Sequence, residues 1–90
     1  MPKSIHRSEY RILLEVLRAE RLRAKMTQAA CSAAMGRHQS FISDIERGIR
    51  RLDVVQLRDI CNVLGSDLIA FIRDYERALR HGKGKSKGGR

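Results

Sequence analysis

The sequence has 90 residues, a length for which we expect one compact domain and no second, ligand-sensing one. Apolar residues make up 42% of it and aromatic residues only 4%, so the core is expected to consist mainly of aliphatic side chains. Nineteen Lys and Arg against ten Asp and Glu give a formal charge of +9, and omitting the four positive residues of 83–90 still leaves +5. Such a basic body favours a polyanionic partner such as nucleic acid.

Two cysteines, Cys31 and Cys61, lie thirty residues apart with no cluster of His near them. This spacing indicates neither a zinc site nor a disulfide framework, so both are interpreted as reduced, buried, small apolar residues. No apolar run approaches the roughly 18 residues of a membrane helix, and the N-terminus lacks the apolar segment of a signal peptide. We therefore expect a cytoplasmic protein with no membrane association, metal, cofactor or small-molecule ligand.

The residues that carry chemistry are too scattered for an enzyme. Three His and two Cys cannot be combined with an orienting acid into a nucleophile and its base. A phosphate-binding Gly-rich loop follows a strand and precedes a helix, and the Gly-rich segment at the end of this sequence is predicted to do neither. The sequence therefore predicts a protein without catalytic residues.

Two helices are predicted in the first third of the chain. The first runs from Ser8 to Ala24, with Ser8 as its N-cap, because its apolar residues recur at spacings of three and four. Those residues are Tyr10, Leu13, Leu14 and Leu17. The second begins at the capping residue Thr27, spans about two turns and ends at Gly36. Its inward residues are expected to be Cys31, Ala34 and Met35.

Three further helices are predicted after this pair. The third covers about residues 39–47 and is closed by Gly48. The fourth opens at Asp53 with Gln56 three residues later, a capping-box pattern, and ends at Gly65. Its apolar face is Leu57, Ile60, Cys61 and Leu64. The fifth is capped by Ser66 or Asp67. Its apolar face is Leu68, Phe71, Ile72, Tyr75 and Leu79.

The pattern divides the chain into three parts. Residues 1–7 are expected to form an N-terminal arm, 8–80 the folded domain, and 81–90 a disordered basic tail that adds nonspecific contacts to a DNA backbone. No segment alternates apolar and polar residues over the length of a strand, so no sheet is expected. The predicted fold class is all-α, with five helices.

The third helix has two chemically different sides when its residues are spaced at about 100° around the axis. One side holds Phe41, Ile42 and Ile45. The other holds Gln39, Ser40, Ser43, Asp44 and Arg47. Gln, Ser and Arg on an outer face suit hydrogen bonding to base edges in a major groove. The periodicity alone also fits an ordinary solvated face, so the choice depends on the surrounding sequence.

The string TQAACSAAMGRHQSFISDIERG supplies that context, because it resembles the helix-turn-helix of the Cro/C1 (XRE-like) phage-repressor family. Thr27 and Gln28 open the first motif helix and Gly36 marks the turn. Ser43, Ile45, Glu46 and Gly48 match the Ser-x-Ile-Glu-x-Gly ending. The resemblance extends from about Tyr10 to Tyr75 and implies a compact five-helix, lambda-repressor-like DNA-binding domain. The function it implies is a sequence-specific transcriptional regulator, expected to be a repressor, that binds double-stranded DNA.

The resemblance also implies roles for individual side chains. In the family the second motif helix enters the major groove with its early residues at base edges. The base-reading residues by this match are Gln39, Ser40 and Asp44. The residues expected at the DNA backbone are Gln28, Arg37, Ser43, Arg47, Arg50 and Arg51. For the arginines, solvated surface charge is the competing interpretation.

The resemblance pairs Arg21 with Glu46 in a partly buried structural salt bridge that fixes the recognition helix. Four positions depart from the family pattern, and one of them, Asp44, places on the DNA-facing side an acidic group that repels phosphate but can accept from a cytosine N4. Lys25 stands where Gly is frequent, which predicts mild strain in a left-handed conformation, and Cys31 and Ser32 replace a large aliphatic residue and Ala. Looser packing is expected around them.

The last helix is the candidate homodimer interface, because family members bind as twofold dimers over two half-sites. Phe71 and Tyr75 are the candidate exposed anchors, although the same residues would equally complete the core of one subunit. An alternative function is an antitoxin-type protein-binding module that also binds operator DNA. Fold alone does not separate the two functions.

Overall fold

The computed structural model describes residues 7–81, and within them it contains five α-helices and no strand. The helices are α1 (Ser8–Arg23), α2 (Gln28–Ala34), α3 (Phe41–Glu46), α4 (Val54–Val63) and α5 (Leu68–Arg80). The predicted all-α, five-helix fold is confirmed. The predicted arm (1–7) and tail (81–90) lie outside the described residues except for Arg7 and His81.

Three of the predicted helix starts are confirmed by their caps. Thr27 accepts from the Ala30 N–H, and Asp67 accepts from the Ala70 N–H. At α4 both hydrogen bonds of the Asp53–Gln56 capping box are present. The prediction for α1 is wrong by one residue. Arg7 is the N-cap and its side chain makes no capping bond, so Ser8 is already helical.

Helix α3 is shorter than predicted, because Gln39 and Ser40 form a turn before it. The Phe41 N–H donates to the His38 carbonyl at 2.9 Å, and the Ser40 N–H donates to His38 Nδ1 at 3.1 Å. The imidazole thus satisfies one of the backbone donors that have no acceptor within a helix at its N-terminus. Gln39 and Ser40 consequently sit at the entrance of α3 and not within it.

The core lies between α1, α3, α4 and α5, with α2 packed against α3 and α4. Its buried members are Ile12, Leu14, Leu17, Cys31, Phe41, Ile42, Ile45, Leu57, Ile60, Cys61 and Phe71. Two predicted inward residues are exposed, namely Ala34 and Ile72. Helix α2 has only seven residues, so the one side that α3 and α4 cover holds just Cys31 and Ser32.

The α1–α2 junction contains the backbone conformation that was expected of Lys25. Its φ is 60°, in the left-handed region where a Cβ is unfavourable and glycine is usual. The N–H groups of Lys25 and Met26 donate to the carbonyls of Leu22 and Arg21, which closes the end of α1. The tight junction leaves α2 packed against α3.

Candidate nucleic-acid interface

The turn between α2 and α3 is fixed by a serine that the sequence analysis treated only as a replacement for Ala. Ser32 is 0% exposed, and its Oγ accepts from the Ile42 N–H at 3.0 Å. The Ser32 carbonyl accepts from the Arg37 N–H, and Gly36 between them has φ 71°. Ser32 therefore holds both the loop between the two helices and the N-terminal end of α3. These two bonds set the angle between α2 and α3.

The inner side of α3 is held by a buried ionic network. Arg21 Nε donates to Glu46 Oε2 at 2.7 Å, and a second guanidinium nitrogen donates to Oε1 at 3.0 Å. The third nitrogen donates to the Met26 carbonyl, and Gln28 Nε2 donates to Glu46 Oε1 at 2.9 Å. The Arg21 and Glu46 side chains are 7% and 4% exposed, so the predicted structural salt bridge is present.

This network has no unsatisfied member. Within residues 7–81, every buried side-chain nitrogen or oxygen has a hydrogen-bond partner. The hydrogen bonds to Glu46 raise the pKa of the Arg21 guanidinium, so it stays charged. A buried pair with all its hydrogen bonds made specifies one orientation of α3 relative to α1 and α2.

The outer side of α3 carries the predicted base-reading residues in one region of the surface. Gln39 is exposed, and Ser40 and Asp44 are half-buried. The Ser40 hydroxyl lies 3.0 Å from His38 Nδ1, and the Asp44 carboxylate accepts from Arg47 at 2.9 Å. Ser43 Oγ donates to the Ser40 carbonyl. The structure thus places these groups together at the start of α3, with hydrogen-bonding atoms toward solvent.

Two of the arginines that were predicted to contact the DNA backbone lie against the same aromatic ring. The Arg37 and Arg50 guanidinium carbons lie 4.1 and 5.3 Å from the centroid of the Phe41 ring. Arg37 precedes α3 and Arg50 follows it, so the two side chains come from opposite ends of α3. Arg51, the next residue, is exposed.

The loop that carries Arg50 and Arg51 is attached to both α3 and α1. The N–H groups of Ile49 and Arg50 donate to the Asp44 carbonyl at 2.9 and 3.2 Å. On the other side, the Leu52 N–H donates to the hydroxyl of Tyr10, 42 residues earlier, at 3.2 Å. Sequence reasoning placed Tyr10 only on the apolar face of the first helix, because a contact between a side chain and a distant backbone leaves no periodic signal.

The prediction of Phe71 as an exposed dimer anchor is wrong. Phe71 is 0% exposed and completes the core of the subunit, because α5 turns this side toward α1 and α4. Tyr75 is half-buried, and its hydroxyl donates to the Glu9 carbonyl at 3.1 Å, which joins α5 to α1. The large exposed apolar side chains near this end are Val54 and Val55 on α4 and Ile69 and Ile72 on α5.

Both cysteines are free and buried, as interpreted from the sequence. Burial raises the pKa of both thiols, that of Cys61 to about 11, so little thiolate forms at neutral pH. Residues 7–81 contain no group of three or more His, Cys, Asp or Glu that could hold a metal ion. No helix in this part of the chain combines the length and apolar character that crossing a membrane requires.

Two short helices joined by a fixed turn, with the second exposing polar residues between arginine-bearing loops, define a helix-turn-helix protein. Residues 12–69 match the helix-turn-helix domain family, and the chain belongs to it. The fold is similar to the solved structure of an XRE-family like protein from Pseudomonas syringae pv. tomato str. DC3000. That similarity has a TM-score of 0.75 and 39% identity over 82% of this chain and 90% of the other. A comparison with curated proteins found no match.

These findings confirm the resemblance to an XRE-like helix-turn-helix family and give the chain the general character of that family, a DNA-binding regulator. The composition agrees with this character, because a formal charge of +9 attracts a polyanion such as DNA.

Proposed function

We propose that this protein is a sequence-specific transcriptional repressor that binds duplex DNA with α3 in the major groove. The observation that carries the proposal is the contrast between the two sides of α3. Its inner side is fixed by Arg21, Glu46 and Gln28, whereas its outer side presents hydrogen-bonding groups to solvent. A rigidly held helix with an open polar face is what base reading requires.

In this proposal three side chains read bases. Gln39 hydrogen-bonds bidentately to an adenine, and Ser40 donates to or accepts from a neighbouring base. The Asp44 carboxylate accepts from a cytosine N4 while Arg47, its ion-pair partner, turns toward the backbone. Because Asp44 repels phosphates, its position favours a base edge over the backbone.

The backbone is contacted from both sides of α3. Gln28 has two amide hydrogens, of which one serves Glu46 and the second remains for a phosphate. The further backbone residues are Arg37, Ser43, Arg47, Arg50 and Arg51. These contacts supply affinity that does not depend on sequence and falls as salt rises.

The protein acts as a homodimer in this proposal, because one copy covers only one half-site. The exposed apolar residues that a second copy of the chain covers are Val54 and Val55 of α4 and Ile69 and Ile72 of α5. Arg58 and Asn62 of α4 line one cleft together with Ile69 of α5, so the two helices share this face. Val54 and Val55 begin α4 directly after the loop of Arg50 and Arg51, so a contact there joins two copies beside their arginine loops.

Sequence-specific binding is tested by selecting duplexes from a random pool and titrating the selected site by fluorescence anisotropy. Gln39→Ala is expected to reduce discrimination at one base pair by about 1 to 3 kcal/mol. Arg51→Gln is expected to weaken all duplexes alike and to flatten the slope of log K against log salt by about 0.9. A pool in which no sequence is enriched, or two variants with the same effect, contradicts the proposal.

The homodimer is tested by sedimentation equilibrium. Ile69→Lys is expected to give a monomer, whereas Leu22→Lys, a control at another exposed apolar residue, is expected to leave the dimer intact. A wild-type chain that sediments as a monomer at every concentration, or an equal response of both variants, contradicts this assignment.

A further inference from the structure

The arginines on the Phe41 ring form an arrangement that the proposed function does not by itself require. Phe41 is 3% exposed, so its ring is part of the core and cannot move independently. Arg37 and Arg50 approach this ring from the two ends of α3, and both guanidinium carbons lie within 5.3 Å of its centroid. The backbone of each arginine is also fixed, since the Arg37 N–H donates to Ser32 and the Arg50 N–H donates to Asp44.

The two guanidinium groups carry charge that no ion pair within residues 7–81 neutralises. In residues 7–81, five other arginines form ion pairs with carboxylates, but neither Arg37 nor Arg50 does. All ten Asp and Glu of the sequence lie within this range. The attraction of a cation to an aromatic ring at an exposed site is weak and leaves the charge of the cation in place. A bound anion would neutralise that charge.

We infer that Arg37 and Arg50 together bind a single backbone phosphate of the DNA, and that Phe41 is the positioning residue for both. This inference rests on the proposed DNA binding and deepens it. A phosphodiester has two free oxygens, and guanidinium groups donate to such oxygens through planar forks. Because both guanidinium carbons lie within 5.3 Å of one ring centroid, both forks lie near the same point of the surface, which favours one shared phosphate over two separate ones.

The shared phosphate is tested with a double-mutant cycle of Arg37→Gln and Arg50→Gln. The full chain is titrated with a nonspecific duplex between about 50 and 200 mM salt, where the slope of log K falls by about 0.9 for each phosphate that is no longer neutralised. Each single variant is expected to flatten the slope by clearly less than about 0.9, because the remaining arginine still neutralises the same phosphate. The double variant is expected to flatten it by about 0.9.

A matched control is provided by Arg51, which has no contact with the Phe41 ring. Arg51→Gln combined with Arg50→Gln is expected to give additive slope changes. If Arg37→Gln and Arg50→Gln each flatten the slope by about 0.9 and together by about 1.8, they contact separate phosphates and the inference is overturned. If neither changes the slope, it is overturned as well. A wild-type chain that binds no duplex at about 50 mM salt instead overturns the proposed function itself.

The positioning role of Phe41 is tested with Phe41→Leu, which keeps an apolar side chain but removes the ring. In this background Arg37→Gln is expected to lose much of its effect on affinity, while the effect of Arg51→Gln is unchanged. Thermal unfolding followed by circular dichroism verifies that the variant is folded. Equal changes in the effects of all the arginines would show that Phe41 acts only through stability and would overturn its positioning role.

Discussion

Helix α3 contributes the carboxylate to two arginine–carboxylate pairs. The two pairs have similar N···O distances but differ in their exposure to solvent. Arg21 and Glu46 are 2.7 Å apart with side chains 7% and 4% exposed, whereas Arg47 and Asp44 are 2.9 Å apart with side chains 64% and 28% exposed. The first pair is desolvated and joined to two further hydrogen bonds, so it fixes the helix. The second is solvated, so a nucleic acid can displace it at little cost. An arginine–carboxylate pair therefore fixes the position of α3 on its inner side. On the outer side, the same kind of pair remains available for contacts with a ligand.

The largest effect is expected from breaking the buried pair. Glu46→Ala strands the Arg21 charge and is expected to lower the free energy of unfolding by about 3 to 5 kcal/mol. The matched control Asp44→Ala breaks the exposed pair on the same helix and is expected to cost at most about 1 kcal/mol. Urea unfolding followed by circular dichroism measures both. Equal losses would show that the two sides of α3 do not differ as described.

An intermediate effect is expected from a pair of serines on opposite sides of the same motif. Ser32→Ala leaves the buried Ile42 N–H without its acceptor and is expected to cost about 1 to 3 kcal/mol. Ser43→Ala removes only a bond from an outer hydroxyl to the Ser40 carbonyl, so a change within about 0.5 kcal/mol is expected. Thermal unfolding of the two variants decides the comparison, and a larger loss from the outer substitution would refute it.

The smallest effect on stability is expected from Asp44→Asn, which is instead expected to change DNA binding. Removing this negative charge from the outer face leaves folding stability within about 0.5 kcal/mol of wild type. It reduces repulsion of phosphates, so binding to a nonspecific duplex is expected to tighten about two- to tenfold at low salt, with a smaller gain at high salt. Anisotropy titrations at two salt concentrations measure this, and unchanged affinity would place Asp44 away from the duplex.

Local patterns in the sequence predicted the helices and most of their caps, because Thr27, Asp53 and Asp67 each accept from a backbone N–H only three residues away. The Arg21–Glu46 pair was predicted only through the family resemblance. Helix periodicity did not show which side of α5 faces the core of the subunit. It therefore could not separate the buried Phe71 from the exposed Ile72, which lies on the same predicted apolar face.

The parts of the candidate site that could not be predicted are contacts between a side chain and a distant group. Ser32 accepts from Ile42, Tyr10 accepts from Leu52, and Phe41 lies beneath Arg37 and Arg50. Each depends on how two elements pack against one another, and no spacing in the chain encodes that. The caps of single helices were therefore predictable, and the attachments between elements were not.

Adjacent residues in the first turn of α1 connect two otherwise separate parts of the molecule. The Glu9 carbonyl accepts from Tyr75 of α5, and the Tyr10 hydroxyl accepts from Leu52 in the loop that follows Arg50 and Arg51. A tilt or partial unwinding of this single turn would reach the terminal helix and the arginine loop together. Glu9 and Tyr10 therefore act as a common anchor for both elements.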